Sequence, residues 1–126
     1  MWKSKTIITC LALLLLASIC QAQRLKPFHP VLEIVVFQVK SNITDKQVEK
    51  AAKNIAPLLS ILPGYMDRSF GKAQKHGYWI DIVQWQSLEQ ALKAAKMIMA
   101  KPQMKKFVSM MRNYKMYHVT LDKAIR

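Results

Sequence analysis

Cysteine is absent from the chain after residue 20. Its two cysteines, Cys10 and Cys20, both lie within the first 22 residues. The remainder therefore has no disulfide to brace it and no thiolate to hold a metal. Glycine is almost as scarce, with three residues in 126. No glycine-rich phosphate loop or dinucleotide fingerprint is present, which excludes the enzymes built on those motifs. Histidine occurs only at His29, His76 and His118. Three scattered imidazoles without cysteine argue against a zinc site. No Ser-His-Asp set and no paired carboxylates appear. Acidic residues number seven against twenty basic ones. Such a balance favours anionic partners of any kind. The lysines, however, are dispersed between apolar positions and no run exceeds two. They read as solvated helix faces. Nucleic acid, a metal and a bound cofactor are all unexpected.

Much of the apolar content is concentrated at the start. "MWKSKTIITCLALLLLASICQAQ" has Lys3 and Lys5, then an uncharged run from Ile7 to Ile19, then Cys20-Gln21-Ala22. A basic start, a short apolar run and small residues before the cut describe a secretory leader. Thirteen residues is short for a membrane span, which needs roughly 20. Residues 1–22 are therefore expected to be removed, leaving no stable membrane span and a periplasmic or secreted protein. Losing Lys3 and Lys5 takes the net charge from +13 to +11. Residues 23–31 read as a proline-bearing arm, 32–122 as one domain and 123–126 as a tail.

Val31 to Lys40, rich in β-branched residues, reads as a largely buried strand. Thr44-Asp45-Lys46-Gln47 is a capping box. Val48, Ala51, Ala52, Ile55, Leu59 and Leu62 follow at helical spacing. Pro57 lies inside that run, so a kink or early end is expected near Ala56. Tyr65 to Ala73 and Tyr78 to Trp85 read as a hairpin of strands. Ser87 to Gln90 has the pattern of a second capping box. Leu88, Ala91, Leu92, Ala95 and Ile98 form the next helical stripe, which Pro102 breaks. Met104, Phe107, Val108 and Met111 begin a short third stripe, and Tyr114 to Leu121 reads as the last strand. The order is β-α-β-β-α-β with the second helix in two pieces. This is an α+β, ferredoxin-like arrangement, with helices on one face of a four-stranded antiparallel sheet. Val35, Phe37 and Val39 share one side of the first strand, and Ile34 and Val36 share the other. A sheet that is apolar on both faces cannot leave one wet. A homodimer, sheet to sheet, is expected.

Pro63-Gly64-Tyr65, "WIDIVQW" ending at Trp85, Ser87 with the Ala91/Ala94/Ala95 stripe, and Phe107 together resemble the dimeric α/β-barrel superfamily. Within it the similarity is to the antibiotic-biosynthesis-monooxygenase-like domain, over about Glu33 to Leu121. The resemblance implies a small domain that binds a flat or anionic molecule, with cofactor-independent oxidation as one implied activity. A non-catalytic ligand-binding or stress-related module of the same fold is the alternative. The haem-degrading branch uses an asparagine on the first strand and a tryptophan and histidine on the second helical segment. This chain has none of these at those places, which argues against haem degradation.

Candidate residues follow from that chemistry: a base, oxyanion donors and an apolar pocket. Asp81 stands in an apolar strand, where a carboxylate is costly unless paired. It is either a structural partner of Arg68 or a catalytic group. His118, in the last strand, is either a satisfied structural residue or a base. Phe37, Arg68, Trp79 and Trp85 are candidate ligand contacts, with core packing the competing role of both tryptophans. Six methionines lie between Met97 and Met116. Thioethers suit Cu(I), but methionine on an apolar helical stripe is ordinarily a gap-filler.

Overall fold

The computed structural model describes residues 28–121. The expected leader, residues 23–27 of the arm and the tail lie outside the described residues. The elements are β1 (Val31–Val39), α1 (Asp45–Ser60), β2 (Tyr65–Lys72), β3 (Trp79–Trp85), α2 (Leu88–Met99), α3 (Pro102–Ser109) and β4 (Met111–Thr120). The four strands form one antiparallel sheet in the order β2-β3-β1-β4. This is the ferredoxin-like α+β arrangement expected from the pattern, with the second helix divided at Pro102.

The local rules account for most boundaries. Thr44 caps α1 through its hydroxyl, which accepts from the Gln47 amide at 3.3 Å, while Gln47 Oε1 accepts from the Thr44 amide at 2.8 Å. Such a cap stabilises a helix by about 1 kcal/mol. Val48, Ala51, Ala52, Ile55 and Leu59 then face the core. In β3 strict alternation buries Trp79, Asp81, Val83 and Trp85 and leaves the residues between them half-buried. The inward rows of β1 and β3 and the buried residues of the helices make one core, with Phe37, Phe107 and Trp85 among its largest members.

Four expectations are corrected. The helix does not end at Ala56: α1 runs through Pro57 to Ser60, because Ile55 and Leu59 are buried on either side of the proline. Leu88 and Leu92 are 44% and 48% exposed. Ala91 and Ile98 of the expected stripe are buried, joined by Ala94, since small residues let the helix approach more closely. The second capping box is half made. Ser87 Oγ accepts from the Gln90 amide at 3.2 Å, but the Gln90 side chain receives the Ser87 hydroxyl and does not reach back to the backbone. Finally, β4 begins at Met111, three residues before Tyr114. Met111, expected on the third helical stripe, pairs instead with Val39, and Arg112 pairs with Gln38, past a register shift that leaves Asn113 without a paired residue on β1. Asn113 takes a φ of 52° there, a conformation asparagine tolerates.

The outer face of the sheet carries Leu32, Ile34 and Val36, opposite Gln84, Ile82 and Ile80 on one side and Val119, Tyr117 and Lys115 on the other, so it is mostly apolar with polar side chains at both ends. Tyr117 and Val119 are 50% and 41% exposed. Among the described residues no helix is long and apolar enough to cross a membrane.

Candidate functional site

The inward row of β1 is apolar with one exception. Between Val31 and Val35 it places Glu33, directly opposite His118 on β4 and Val83 on β3. His118 Nε2 and Glu33 Oε2 lie 3.0 Å apart, and both side chains are largely buried. Burial pushes the Glu33 carboxyl above its ordinary value of 4.5. The His118 hydrogen bond and charge oppose this, and the Asp81 carboxylate adds to it. A carboxyl with a raised pKa is a better proton acceptor than an exposed one.

Asp81 sits on β3 opposite Val35 and Phe70. It is committed to Arg68 in a bidentate pair, Nε to Oδ1 at 2.8 Å and Nη2 to Oδ2 at 2.7 Å. The remaining Arg68 nitrogen, Nη1, donates to the Ala52 carbonyl at 2.8 Å. The guanidinium thus ties β2 and β3 to α1 and is not free for a ligand.

Above Glu33 and Asp81, between the sheet and the three helices, lies a cavity of about 230 Å³. Its wall is apolar: Val35, Ile55, Leu59, Val83, Trp85, Ile98 and Phe107. Met99, Tyr114 and Met116 stand at its mouth, 46%, 58% and 48% exposed. No lysine or arginine lines it among the described residues. Its polar end is carboxylate only, which suits a neutral ligand better than an anion.

The structure distributes the sequence candidates as follows. Asp81 and Trp85 line the cavity. His118 is held behind Glu33. Phe37 is fully buried against Phe107, ring centroids 5.8 Å apart and edge to face. Arg68 and Trp79 border a separate groove between α1 and β2, where Phe70 stacks on Trp79 at 5.2 Å. Trp85 packs edge-on against Tyr65 at 6.0 Å. Neither indole Nε1 has a hydrogen-bond partner among the described residues. Of the clustered methionines, Met104 and Met111 pack against the core. Glu33 is the residue that sequence reasoning missed. Its signal was present: an acidic side chain at an inward position of an otherwise apolar strand, the same argument that singled out Asp81.

Three solved structures set this geometry in context. SnoaB, a cofactor-independent oxygenase from Streptomyces nogalater, superimposes with a TM-score of 0.63 at 13% identity, covering 77% of this chain and 97% of its own. The fold is the antibiotic-biosynthesis-monooxygenase-like one. A second monooxygenase-like structure, ActVA-Orf6 of Streptomyces coelicolor in complex with nanaomycin D, gives 0.61 at 18% identity over 83% and 98% of the two chains. Hydroxynitrile lyase from Passiflora edulis gives 0.61 at 16% identity over 79% and 100%. No family model and no curated protein matches the sequence. An oxygenase and a lyase on one monooxygenase-like scaffold show that the fold supplies a cavity, and that the reaction depends on what lines it.

Proposed function

We propose that the chain is an exported ligand-binding domain of the monooxygenase-like kind, working as a homodimer. Its cavity takes a flat, apolar molecule that carries one weakly acidic hydroxyl. Glu33 supports this reading most directly. Burial raises the affinity of its carboxylate for a proton, which makes it a stronger acceptor when ionised, and it stands beside a largely apolar wall. A ligand hydroxyl donating to Glu33 gains a charge-assisted hydrogen bond, and the rings fill the space beside Trp85. Quenching of tryptophan fluorescence by 1-naphthol, naphthalene and 1-naphthoate tests it. Naphthol is expected to bind about tenfold tighter than naphthalene, with naphthoate weakest, and Glu33→Gln is expected to abolish the preference. Tightest binding of naphthoate would overturn the reading.

The raised Glu33 pKa favours a second reading, cofactor-independent oxidation. A base matched to the hydroxyl draws off its proton, and the electron-rich anion then passes electrons to dioxygen. With a hydroquinone, two electrons and two protons leave the substrate, giving quinone and hydrogen peroxide. Oxygen uptake with a hydroquinone panel tests this. Glu33→Gln is expected to stop the uptake. His118→Ala reports whether that side chain contributes. Rates equal to the protein-free control dismiss catalysis and leave binding. Pairing rests on the mostly apolar outer face of the sheet, which a second copy would cover. Light scattering is expected to give twice the chain mass, and a monomer at every concentration refutes it.

A further inference from the structure

The mouth of the cavity lies on a larger apolar strip. Leu88, Leu92, Ala95 and Met99 recur at i, i+4, i+7 and i+11, which places them along one side of α2. Leu88, Leu92 and Met99 are each close to half exposed. Tyr114 and Met116 of β4 continue the strip across the mouth. At its other end Leu88 shares a shallow groove with Phe28, 60% exposed and the first described residue after the leader. The strip is on the helix side of the sheet, so it is separate from the outer face offered for pairing.

Charge accompanies it. From Leu88 to Leu121 the chain has seven basic residues, Lys93, Lys96, Lys101, Lys105, Lys106, Arg112 and Lys115, and a single acidic one, Glu89. Lys96 and Lys101 flank Met99 in sequence, and both are exposed. Exposed leucine, methionine and tyrosine bordered by lysine is the composition of a surface that settles into lipid headgroups.

We infer that this strip seats the domain on an anionic phospholipid bilayer, with the cavity mouth turned toward the lipid so that an apolar ligand enters from the membrane. Ligand entry rests on the cavity reading above, whereas the seating needs only the strip and its lysines. The test is partitioning of the exported protein onto phosphatidylcholine vesicles with and without phosphatidylglycerol, at low and high salt. Preference for the anionic vesicles by at least about tenfold, lost at high salt, is expected. Lys96→Gln combined with Lys101→Gln is expected to weaken partitioning about 25-fold, near fivefold for each lysine. Leu92→Ser should weaken it about fivefold. None of the three lines the cavity, so 1-naphthol binding should stay at its wild-type value. Equal partitioning onto neutral and anionic vesicles, or variants indistinguishable from wild type, overturns the inference. So does a strip consumed by self-association, seen as larger oligomers without vesicles that Leu92→Ser dissolves. Partitioning that follows these residues while 1-naphthol fails to bind refutes the cavity reading and leaves the seating intact.

Discussion

Asp81→Asn should be among the most damaging single-atom-scale changes in the domain. The Asp81 and Arg68 side chains are only 9% and 7% exposed, and two hydrogen bonds of 2.8 and 2.7 Å join them. Neutralising Asp81 leaves a guanidinium inside the protein with only neutral acceptors, the asparagine amide oxygen and the Ala52 carbonyl, and turns an amide NH2 against a guanidinium N–H. Breaking a buried pair by removing one member costs about 3–5 kcal/mol, because the survivor keeps its desolvation penalty. Whole-domain stability is typically only about 5–15 kcal/mol. At roughly 4–8 °C per kcal/mol for a domain of this size, the melting temperature should fall by roughly 12–40 °C. Urea unfolding followed by circular dichroism measures the loss directly. The double variant Asp81→Leu/Arg68→Met, which removes both charges, should recover most of it, since apolar replacement of a buried pair is often neutral. A single-variant loss below about 1 kcal/mol refutes the reasoning, and so does a double variant worse than the single.

The other expectations concern Glu33, Gly64 and the tryptophans. Folding holds the proton on Glu33 at pH values where the unfolded chain has lost it, so this group lowers stability progressively as pH rises above 4.5. Glu33→Gln should therefore gain on wild type in melting temperature between acid and neutral pH, and a pH-independent difference refutes that. Gly64 has a φ of 86°, and a β-carbon there would lie 2.7 Å from Gln90 Cβ. Gly64→Ala should cost at least about 1 kcal/mol in a denaturant titration. Trp79→Phe removes an indole N–H that has no hydrogen-bond partner among the described residues, a relief of about 1–3 kcal/mol that offsets the lost ring area. It should unfold within about 1 kcal/mol of wild type, whereas Trp85→Ala should lose about 3–5 kcal/mol.

The legible parts of the sequence were those governed by near neighbours. Thr44 and Gln47 announced α1, and "WIDIVQW" announced a strand. The pairing of Asp81 with Arg68 was readable because a carboxylate in an apolar strand demands a partner. What stayed hidden depended on distance in sequence. Glu33 is buried only by the folded chain and is paired with His118, 85 residues away, and no local window shows either. Leu88 and Leu92 fit a helical stripe as well as Ala91, Ala94 and Ile98 do. Only the packing of α2 decides which row turns inward. Pro57 was overruled by the burial of Ile55 and Leu59 beyond the reach of local propensity.

The extra residue in β4 reaches further than its size suggests. Val36 pairs with Lys115 and Gln38 with Arg112, so two steps on one strand match three on the other. Odd-numbered Met111 and even-numbered Met116 consequently point the same way, both into the cavity. Excising Asn113 would leave Met111 and Met116 four positions apart, so plain alternation would keep both on the cavity side and both arms of β4 in register with β1. A lineage could therefore gain or lose this one codon without turning over either arm of the strand, because the bulge takes up the extra residue.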